Sequence, residues 1–395
     1  MDFKIVNEKL DQATAILGEL NIDMWMTYVR ETVLTPDPCL DLVAGLDLTW
    51  HSAFILTRSG ERIAIVGRFD GENVRAIGGY TKVITYDQGI RASLFETVSR
   101  LGPQTIALNY SMSDPAADGL TYGMQQNLLA AFEGTAYAKR FVSAEKLVAA
   151  LRGRKSKSEQ AHVKAAIRTT EKLLDELGET LKPGLTELHI AEKLHAARRA
   201  LGLGTAWGEP YCPIVNAGPE SAVGHAAPGT IKIARGQLLH VDFGVKQDGF
   251  CADLQRMWYF LAKDEKRPPA EVQRAWDACW AALDAGAEKL KPGAVCWEVD
   301  AAARASLTKA GYPEFQHALG HHLGRVAHDG ASLLGPRWEK YGTAPLGIVE
   351  PGNIFTLELG VAVPERGFIG LEEDVLVTES GLEWLSKPQR KIWLV

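Results

Sequence analysis

The hydrophobic positions of the first 150 residues change their period along the chain, which predicts a mixed α/β unit. Residues 4–20 place apolar side chains at helical spacing. Short apolar runs rich in β-branched and aromatic residues predict strands at 24–28, 52–57, 62–66 and 105–108. The second and third runs are joined by Arg-Ser-Gly-Glu, which is typical of a hairpin turn. A further helical pattern follows near residues 119–132.

A polar stretch at residues 152–158, Arg-Gly-Arg-Lys-Ser-Lys-Ser, interrupts this pattern. Stretches of this kind favour an irregular connection. We therefore predict a domain boundary there, with residues 1–152 in one domain and residues 153–395 in the other. Ser156 and Glu159 form a capping-box pattern, which predicts that a long helix begins at this point.

The second domain contains an internal repeat of a helix stop. Leu-Lys-Pro-Gly occurs at residues 181–184 and again at 290–293, about 109 residues later. Each copy follows one helical pattern and precedes another, and β-type sequence comes next. Such helix ends are common, so coincidence is the alternative. The spacing predicts an α/β (α+β) fold built from two halves related by a pseudo-twofold axis.

Carboxylates lie inside apolar, strand-like runs of the second domain. They are Asp242, Asp253, Glu358 and Glu373. A buried carboxylate is costly unless it is paired or binds a cation, and few basic residues stand near these four. A pair of divalent metal ions would supply the positive charge. For Glu373, the adjacent acids Glu372 and Asp374 leave a solvated acidic turn as the alternative.

Histidines accompany these acids in glycine-rich segments. His321 lies between two glycines that allow the backbone to approach a ligand closely, and His328 follows seven residues later. His225 lies in a Gly/Ala/Pro-rich loop, where functional residues are often found. His317 is a weaker candidate, with a structural role as its alternative. Oxygen ligands with one imidazole suit Mn²⁺, Co²⁺ or Zn²⁺ better than a thiol-preferring metal.

Residues 155–395 resemble the pita-bread metallopeptidases, which include methionine aminopeptidase, Xaa-Pro aminopeptidase and Xaa-Pro dipeptidase (prolidase). The motifs that carry the resemblance are D-x-G-x4-G-F-x-x-D at 242–253, G-H-x-x-G-x3-H at 320–328, E-P-G-x-x-F-T-x-E at 350–358, and Glu373-Asp374 followed by Val377-Thr378. The first 152 residues resemble the creatinase-type domain of the Xaa-Pro peptidases.

The resemblance implies a pita-bread catalytic domain with two divalent metal ions per subunit, Mn²⁺ being the first expectation. Five ligands are implied, namely Asp242, Asp253, His321, Glu358 and Glu373. The resemblance also implies that Glu358 acts as general base and that His225 and His328 stabilise the oxyanion. The expected reaction is hydrolysis of Xaa-Pro dipeptides. An Xaa-Pro aminopeptidase acting on longer peptides is the alternative within the family, and a metal-free binding module is the alternative from another class.

Contacts with the substrate are predicted less directly. A dipeptidase needs a cation for the proline carboxylate, and Arg337, Lys340 and Arg366 are the candidates, with His317 beside the proline ring. Asp37 is a candidate receptor for the substrate ammonium, from the partner subunit of a homodimer, and a solvated surface loop is its alternative reading.

Three positions depart from the family pattern. Leu371 stands where an arginine is frequent, Gln255 where a threonine is frequent, and Glu358 is followed by Leu-Gly instead of Pro-Gly. These departures leave every proposed ligand in place but affect the residues around them.

Composition and charge exclude other classes. The formal net charge is −6, so no basic field attracts nucleic acid. No 18-residue apolar run predicts a membrane span, and the N-terminal residues lack the pattern of a secretion signal. We therefore expect a cytoplasmic enzyme that acts on a small peptide substrate.

Overall fold

The computed structural model describes residues 3–224 and 226–395, and the chain divides into two compact units. These are Met1–Arg152 (unit 1) and Gly153–Val395 (unit 2). Among the described residues, every helix is too short or too polar to span a bilayer.

Unit 1 alternates strands and helices as the hydrophobic pattern predicts. Its elements are α1 Lys4–Glu19, β1 Met24–Val29, α2 Leu40–Val43, β2 Ser52–Thr57, β3 Arg62–Gly67, α3 Gly71–Ala76, β4 Lys82–Tyr86, α4 Arg91–Leu101, β5 Ile106–Leu108, α5 Tyr122–Ala131, β6 Phe141–Ser143 and α6 Glu145–Gly153. The strands form a mixed sheet in the order β4-β3-β2-β1-β5-β6. All residues of β1 and β2 are buried, which explains why both strands are continuous apolar runs.

Unit 2 begins at Gly153, the last residue of α6, and its first complete helix starts with the predicted capping box. Its elements are α7 Lys157–Gly178, α8 Glu187–Ala200, β7 Gly204–Thr205, β8 Ile214–Ala217, β9 Leu238–Phe243, β10 Val245–Gln247, β11 Phe250–Cys251, β12 Leu254–Tyr259, α9 Ala270–Lys289, α10 Cys296–Lys309, β13 Gly320–His321, β14 Leu333–Leu334, β15 Ile354–Val363, β16 Gly367–Thr378, β17 Gly381–Trp384 and β18 Trp393–Leu394.

The two Leu-Lys-Pro-Gly segments have equivalent backbone surroundings. Gly184 and Gly293 both adopt positive φ, 92° and 86°, a conformation that favours glycine. The amide of Gly184 donates to the carbonyl of Ile233, and the amide of Gly293 donates to the carbonyl of Val349. One segment connects α7 to α8 and the other connects α9 to α10. The predicted repeat is therefore present as two matching halves, each with a helix pair followed by strands.

Strands from both halves meet in one sheet with the order β15-β16-β12-β9-β8. β17 pairs with β16, and β18 pairs with β12. Helices α9 and α10 pack with alternate residues of β15 and β16 in a hydrophobic core that includes Trp276, Trp280, Phe355 and Leu357. Because side chains alternate along a strand, the remaining positions of β15 and β16 lie on the other face.

Candidate metal centre

Acidic side chains from both halves of unit 2 converge on adjacent strands. Asp242 of β9 is paired with Gln255 of β12, and Glu358 of β15 is paired with Glu372 of β16. Gln255 also pairs with Glu372, which joins the two hairpins side by side. Asp253 lies in the break between β11 and β12, where burial raises its pKa and the nearby charge of Asp242 adds to the rise.

His321, which lies in β13, directs its imidazole toward these acidic side chains. Its Nε2 atom lies 3.8 Å from Oδ2 of Asp253, 3.8 Å from Oε1 of Glu358 and 3.9 Å from Oε1 of Glu372. One possible ligand atom each from Asp253, His321 and Glu372 falls within 4.8 Å of the others. The preceding glycine, Gly320, allows this approach, because a Cβ at that position would overlap the carbonyl of the neighbouring strand β15.

Burial and mutual repulsion disfavour the ionised forms of these clustered carboxylates. Burial raises the pKa of Asp242 to about 7. Burial, with the Asp242 charge adding to it, raises the pKa of Glu358 to about 8. Burial and the nearby carboxylates raise the pKa of Asp253 and of Glu372 well above their usual range. Burial, assisted by the neighbouring His328, lowers the pKa of His321 to about 3, so its imidazole is neutral and can bind a metal.

Two carboxylate oxygens of the group lack a protein partner. Oδ1 of Asp242 and Oε1 of Glu372 are buried without a hydrogen-bond donor among the described residues. Buried polar atoms are nearly always satisfied, so an orphaned pair at one place indicates a missing positive group. Carboxylate oxygens with a single imidazole are a donor set that suits divalent metals such as Mn²⁺, Co²⁺ or Zn²⁺. The side chains therefore fit divalent metal ions.

Glu373, which the sequence places among the ligands, lies elsewhere. Its carboxylate is paired with the buried guanidinium of Arg256, at 3.1 Å, and also accepts hydrogen bonds from the Ser386 hydroxyl and the Gln389 amide. Neighbouring residues of a strand point to opposite faces, and Glu372 takes the face of Asp253 and His321. The structure thus corrects the fourth acidic ligand from Glu373 to Glu372.

A signal for this correction is present in the alternation of β16. Four odd-numbered positions, Ile369, Leu371, Val375 and Val377, belong to the hydrophobic core under α9. Glu373 falls in phase with them, whereas Glu372 falls in phase with the opposite face. Comparison of the position of each acid with this two-residue period would have selected Glu372, whereas the Glu-Asp motif alone selects Glu373.

The remaining histidine candidates differ in what surrounds them. His328 lies beside the group, with its ring centroid 4.3 Å from that of His321 and nearly perpendicular to it. The ring of His317 packs against Phe315, with 5.6 Å between the centroids. His225 lies outside the described residues, and its role stays a prediction.

The predicted cation Arg366 is engaged away from the acidic group. Its guanidinium lies 3.2 Å from Oε1 of Glu271 and donates to the carbonyl of Gly236. It precedes Glu372 by six residues, which corresponds to about 20 Å along an extended strand. The prediction that Arg366 binds the proline carboxylate beside the metal centre is therefore wrong.

Two other cations remain exposed. The Arg337 guanidinium lies 4.3 Å from the ring centroid of Trp297, and the Lys340 ammonium lies over Trp338 and Tyr341. Their contacts with a substrate stay a prediction.

Asp37 of unit 1 has a structural environment. It is only 4% exposed, and both of its carboxylate oxygens accept hydrogen bonds from Nδ2 of Asn109. Oδ1 also accepts the backbone amide of Cys39 at 2.7 Å. A carboxylate committed to these donors is neither a solvated loop residue nor a receptor for a substrate ammonium. The structure therefore contradicts both readings of Asp37.

Comparison with known proteins agrees with this geometry. The sequence model of metallopeptidase family M24 matches residues 161–379. An uncharacterized peptidase of Staphylococcus saprophyticus is 27% identical over 335 residues, covering 85% of this chain and 87% of that protein.

Two solved structures are similar over nearly the whole chain. An X-Pro aminopeptidase from Thermotoga maritima superposes with a TM-score of 0.75 at 24% identity, covering 98% of this chain and 100% of the other. An Xaa-Pro dipeptidase from Bacillus anthracis superposes with a TM-score of 0.74 at 22% identity, covering 99% of this chain and 100% of the other. Likenesses at this identity bear on the fold, and they confirm the fold class that the sequence predicts.

Proposed function

Because this chain belongs to metallopeptidase family M24, we propose that it is a dipeptidase that hydrolyses the bond before proline with two divalent metal ions. The observation that carries the proposal is the convergence of buried carboxylates on one neutral imidazole, with Oδ1 of Asp242 and Oε1 of Glu372 lacking a donor among the described residues. The ligands proposed are Asp242, Asp253, His321, Glu358 and Glu372. Mn²⁺ is the first candidate metal, followed by Co²⁺ and Zn²⁺.

The chemistry divides between the metals and the chain. When bound, the metal pair supplies Lewis acidity and lowers the pKa of water. Glu358 is the proposed general base, because it lies within the group and its carboxylate is 23% exposed, the most accessible of the acids that face His321. It takes a proton from the attacking water and returns it to the leaving proline nitrogen, which needs a proton to depart.

His328 is proposed to stabilise the oxyanion of the tetrahedral intermediate. Its edge-on contact with His321 places an imidazole beside the group. His225 is proposed for the same task from the sequence resemblance alone. Replacing His328 by alanine should leave metal content near normal and lower turnover; a loss of metal would instead make His328 a ligand.

The substrate class rests on the two similar structures. The Thermotoga protein is described as an X-Pro aminopeptidase and the Bacillus anthracis protein as an Xaa-Pro dipeptidase. A preference for dipeptides requires a cation for the free proline carboxylate, and the exposed Arg337 and Lys340 are the proposed candidates, with His317 beside the proline ring. An aminopeptidase acting on longer peptides is the second candidate function.

The decisive experiment combines metal titration with a peptide panel. The purified chain is stripped with a chelator, titrated with Mn²⁺, Co²⁺ or Zn²⁺, and assayed on Ala-Pro, Ala-Pro-Ala and Ala-Ala. We expect metal-dependent cleavage of Ala-Pro, less of Ala-Pro-Ala and least of Ala-Ala. Faster cleavage of Ala-Pro-Ala would favour the aminopeptidase. Absence of both metal binding and cleavage would favour a binding module.

A cytoplasmic homodimer is proposed as the working form. The five cysteines are all buried and free, which suits a reducing compartment. Light scattering would test the assembly against the chain mass of 43.1 kDa. A mass that stays at one chain over the working concentration range would reject the dimer.

A further inference from the structure

A buried glutamine connects the two glutamates of the candidate metal centre. Nε2 of Gln255 donates to Oε2 of Glu372 at 2.9 Å and to Oε2 of Glu358 at 3.3 Å. Both acceptors are the second oxygens of their carboxylates, and the first oxygens are those that face His321. Gln255 therefore binds the oxygen of each glutamate that does not face His321. The other oxygen of each glutamate stays directed at the proposed metal ions.

Gln255 is itself held in place by a histidine that the function does not otherwise use. Its Oε1 atom lies 2.8 Å from Nε2 of His240, and Nδ1 of His240 lies 2.8 Å from Oδ1 of Asn216. Asn216 donates its own amide to the carbonyl of Ala222. Burial lowers the pKa of His240 to about 4, so its imidazole is neutral and carries one ring N–H. With that proton on Nε2, His240 donates to Oε1 of Gln255, and the Gln255 N–H groups face the carboxylates.

The surroundings leave these side chains no room to turn away. His240 is 4% exposed and Gln255 is 8% exposed. Gly370 lies against both of them, because a Cβ at that position would lie 2.6 Å from Nε2 of His240 and would overlap Oε1 of Gln255. A larger residue at position 370 would occupy the space that the pair now fills.

We propose that Gln255, oriented by His240, is a positioning residue that presents Glu358 and Glu372 to the metal ions. The inference rests on the metal centre of the proposed function. Carboxylates that repel one another rotate apart unless donors hold them, and residues that orient metal ligands affect affinity strongly. Gln255 supplies such donors to two ligands at once. Gly370, which has no side chain, leaves the space that Gln255 and His240 occupy.

The test compares two buried glutamines of unit 2. Gln255→Leu removes the donors to Glu358 and Glu372 at nearly constant volume. Gln389→Leu is the matched control, because Gln389 is 4% exposed and its side chain, among the residues that the structure describes, bonds only to the backbone of Met257. We expect Gln255→Leu to weaken Co²⁺ binding by about 10- to 100-fold and to change the visible absorption of bound Co²⁺. Gln389→Leu should leave both unchanged.

Gly370→Ala tests the same pair without removing any polar atom. We expect it to weaken Co²⁺ binding as well, and to cause little further loss when added to Gln255→Leu. Circular dichroism identifies variants that do not fold, and if Gln255→Leu is one of them Gly370→Ala decides. Wild-type affinity and spectrum in a folded Gln255→Leu or Gly370→Ala variant would overturn the inference. A wild-type chain that binds no Co²⁺ would instead overturn the proposed function.

Discussion

Glu372 and Glu373 are neighbours in one strand, both almost fully buried, yet their surroundings are opposite. Glu373 meets a guanidinium, a hydroxyl and a backbone amide, all supplied by the protein. Glu372 receives one hydrogen bond from Gln255 and otherwise faces His321 and other acids, with one oxygen unsatisfied among the described residues.

The comparison shows that burial alone does not identify a metal ligand. Burial raises the pKa of both carboxyls. At Glu373 the Arg256 charge and the hydrogen bonds oppose this rise, whereas at Glu372 the charges of Glu358, Asp242 and Asp374 add to it. A buried acid that the protein satisfies stabilises the fold, and a buried acid that it leaves unsatisfied requires an external cation.

Replacing Glu372 by glutamine should have the largest functional effect. The variant loses a ligand of the proposed metals, so metal-dependent turnover should fall by more than the roughly 100-fold that changes around a metal site typically cause. Folding should be retained, because one of several repelling charges is removed. Metal content and turnover on Ala-Pro are measured together. Normal values for both would show that Glu372 is not a metal ligand.

Replacing Glu373 by glutamine should act on stability. Arg256 is 2% exposed and would lose its charged partner, and breaking one side of a buried ion pair costs about 3–5 kcal/mol. Chemical denaturation measures the free energy of unfolding, and metal titration of the folded variant should give near-normal stoichiometry. If Glu373→Gln loses metal while Glu372→Gln keeps it, the two assignments are reversed.

The metal-free chain should lose stability as the pH rises. The folded-state pKa values of Asp242 and Glu358, about 7 and about 8, lie above those of an unfolded chain. The folded state therefore holds protons that an unfolded chain releases near pH 4, roughly its ordinary carboxyl pKa. Their contribution is complete below that pH and is lost as the pH passes through the folded-state values.

Saturating Mn²⁺ should remove most of this loss, because bound cations replace the protons. The measurement is thermal denaturation from pH 5 to pH 9 with a chelator or with Mn²⁺. The difference between the two melting temperatures should widen toward high pH. A difference that stays constant would mean that the carboxylates are not neutralised by metal.

Replacing Asp37 of unit 1, a second buried acid, should have the smallest effect of these substitutions. Like Glu373, it is a buried acid that protein donors satisfy, in this case Asn109 and the amide of Cys39. Asp37→Asn should lower the free energy of unfolding by about 1 kcal/mol, the typical value of one hydrogen bond. Turnover per bound metal should not change. A clear fall in substrate affinity would restore Asp37 as a substrate contact.

Much of the fold follows from local pattern. The strands at residues 24–29, 52–57 and 62–67 lie close to where apolar runs predict them, and the capping box at Ser156 starts α7 as expected. Such features depend on neighbours in the chain, which sequence shows directly.

The site was predictable in part for the same reason. Acids inside apolar strands and a histidine beside glycine indicate a metal centre, and the structure gathers Asp242, Asp253, Glu358 and His321 in one place. The role of Gln255 was not predictable, because its hydrogen bonds to Glu358 and Glu372 join strands that are more than 100 residues apart.

By itself, the sequence determined that unit 2 has two similar halves and that each contributes acids from buried strands. Only the tertiary structure decided which of two adjacent glutamates faces the centre. A strand directs neighbouring side chains to opposite faces, and the choice between those faces depends on the strands that pair with it. Here β12 supplies Arg256 to Glu373 and Gln255 to Glu372, and these partners separate the structural acid from the proposed ligand.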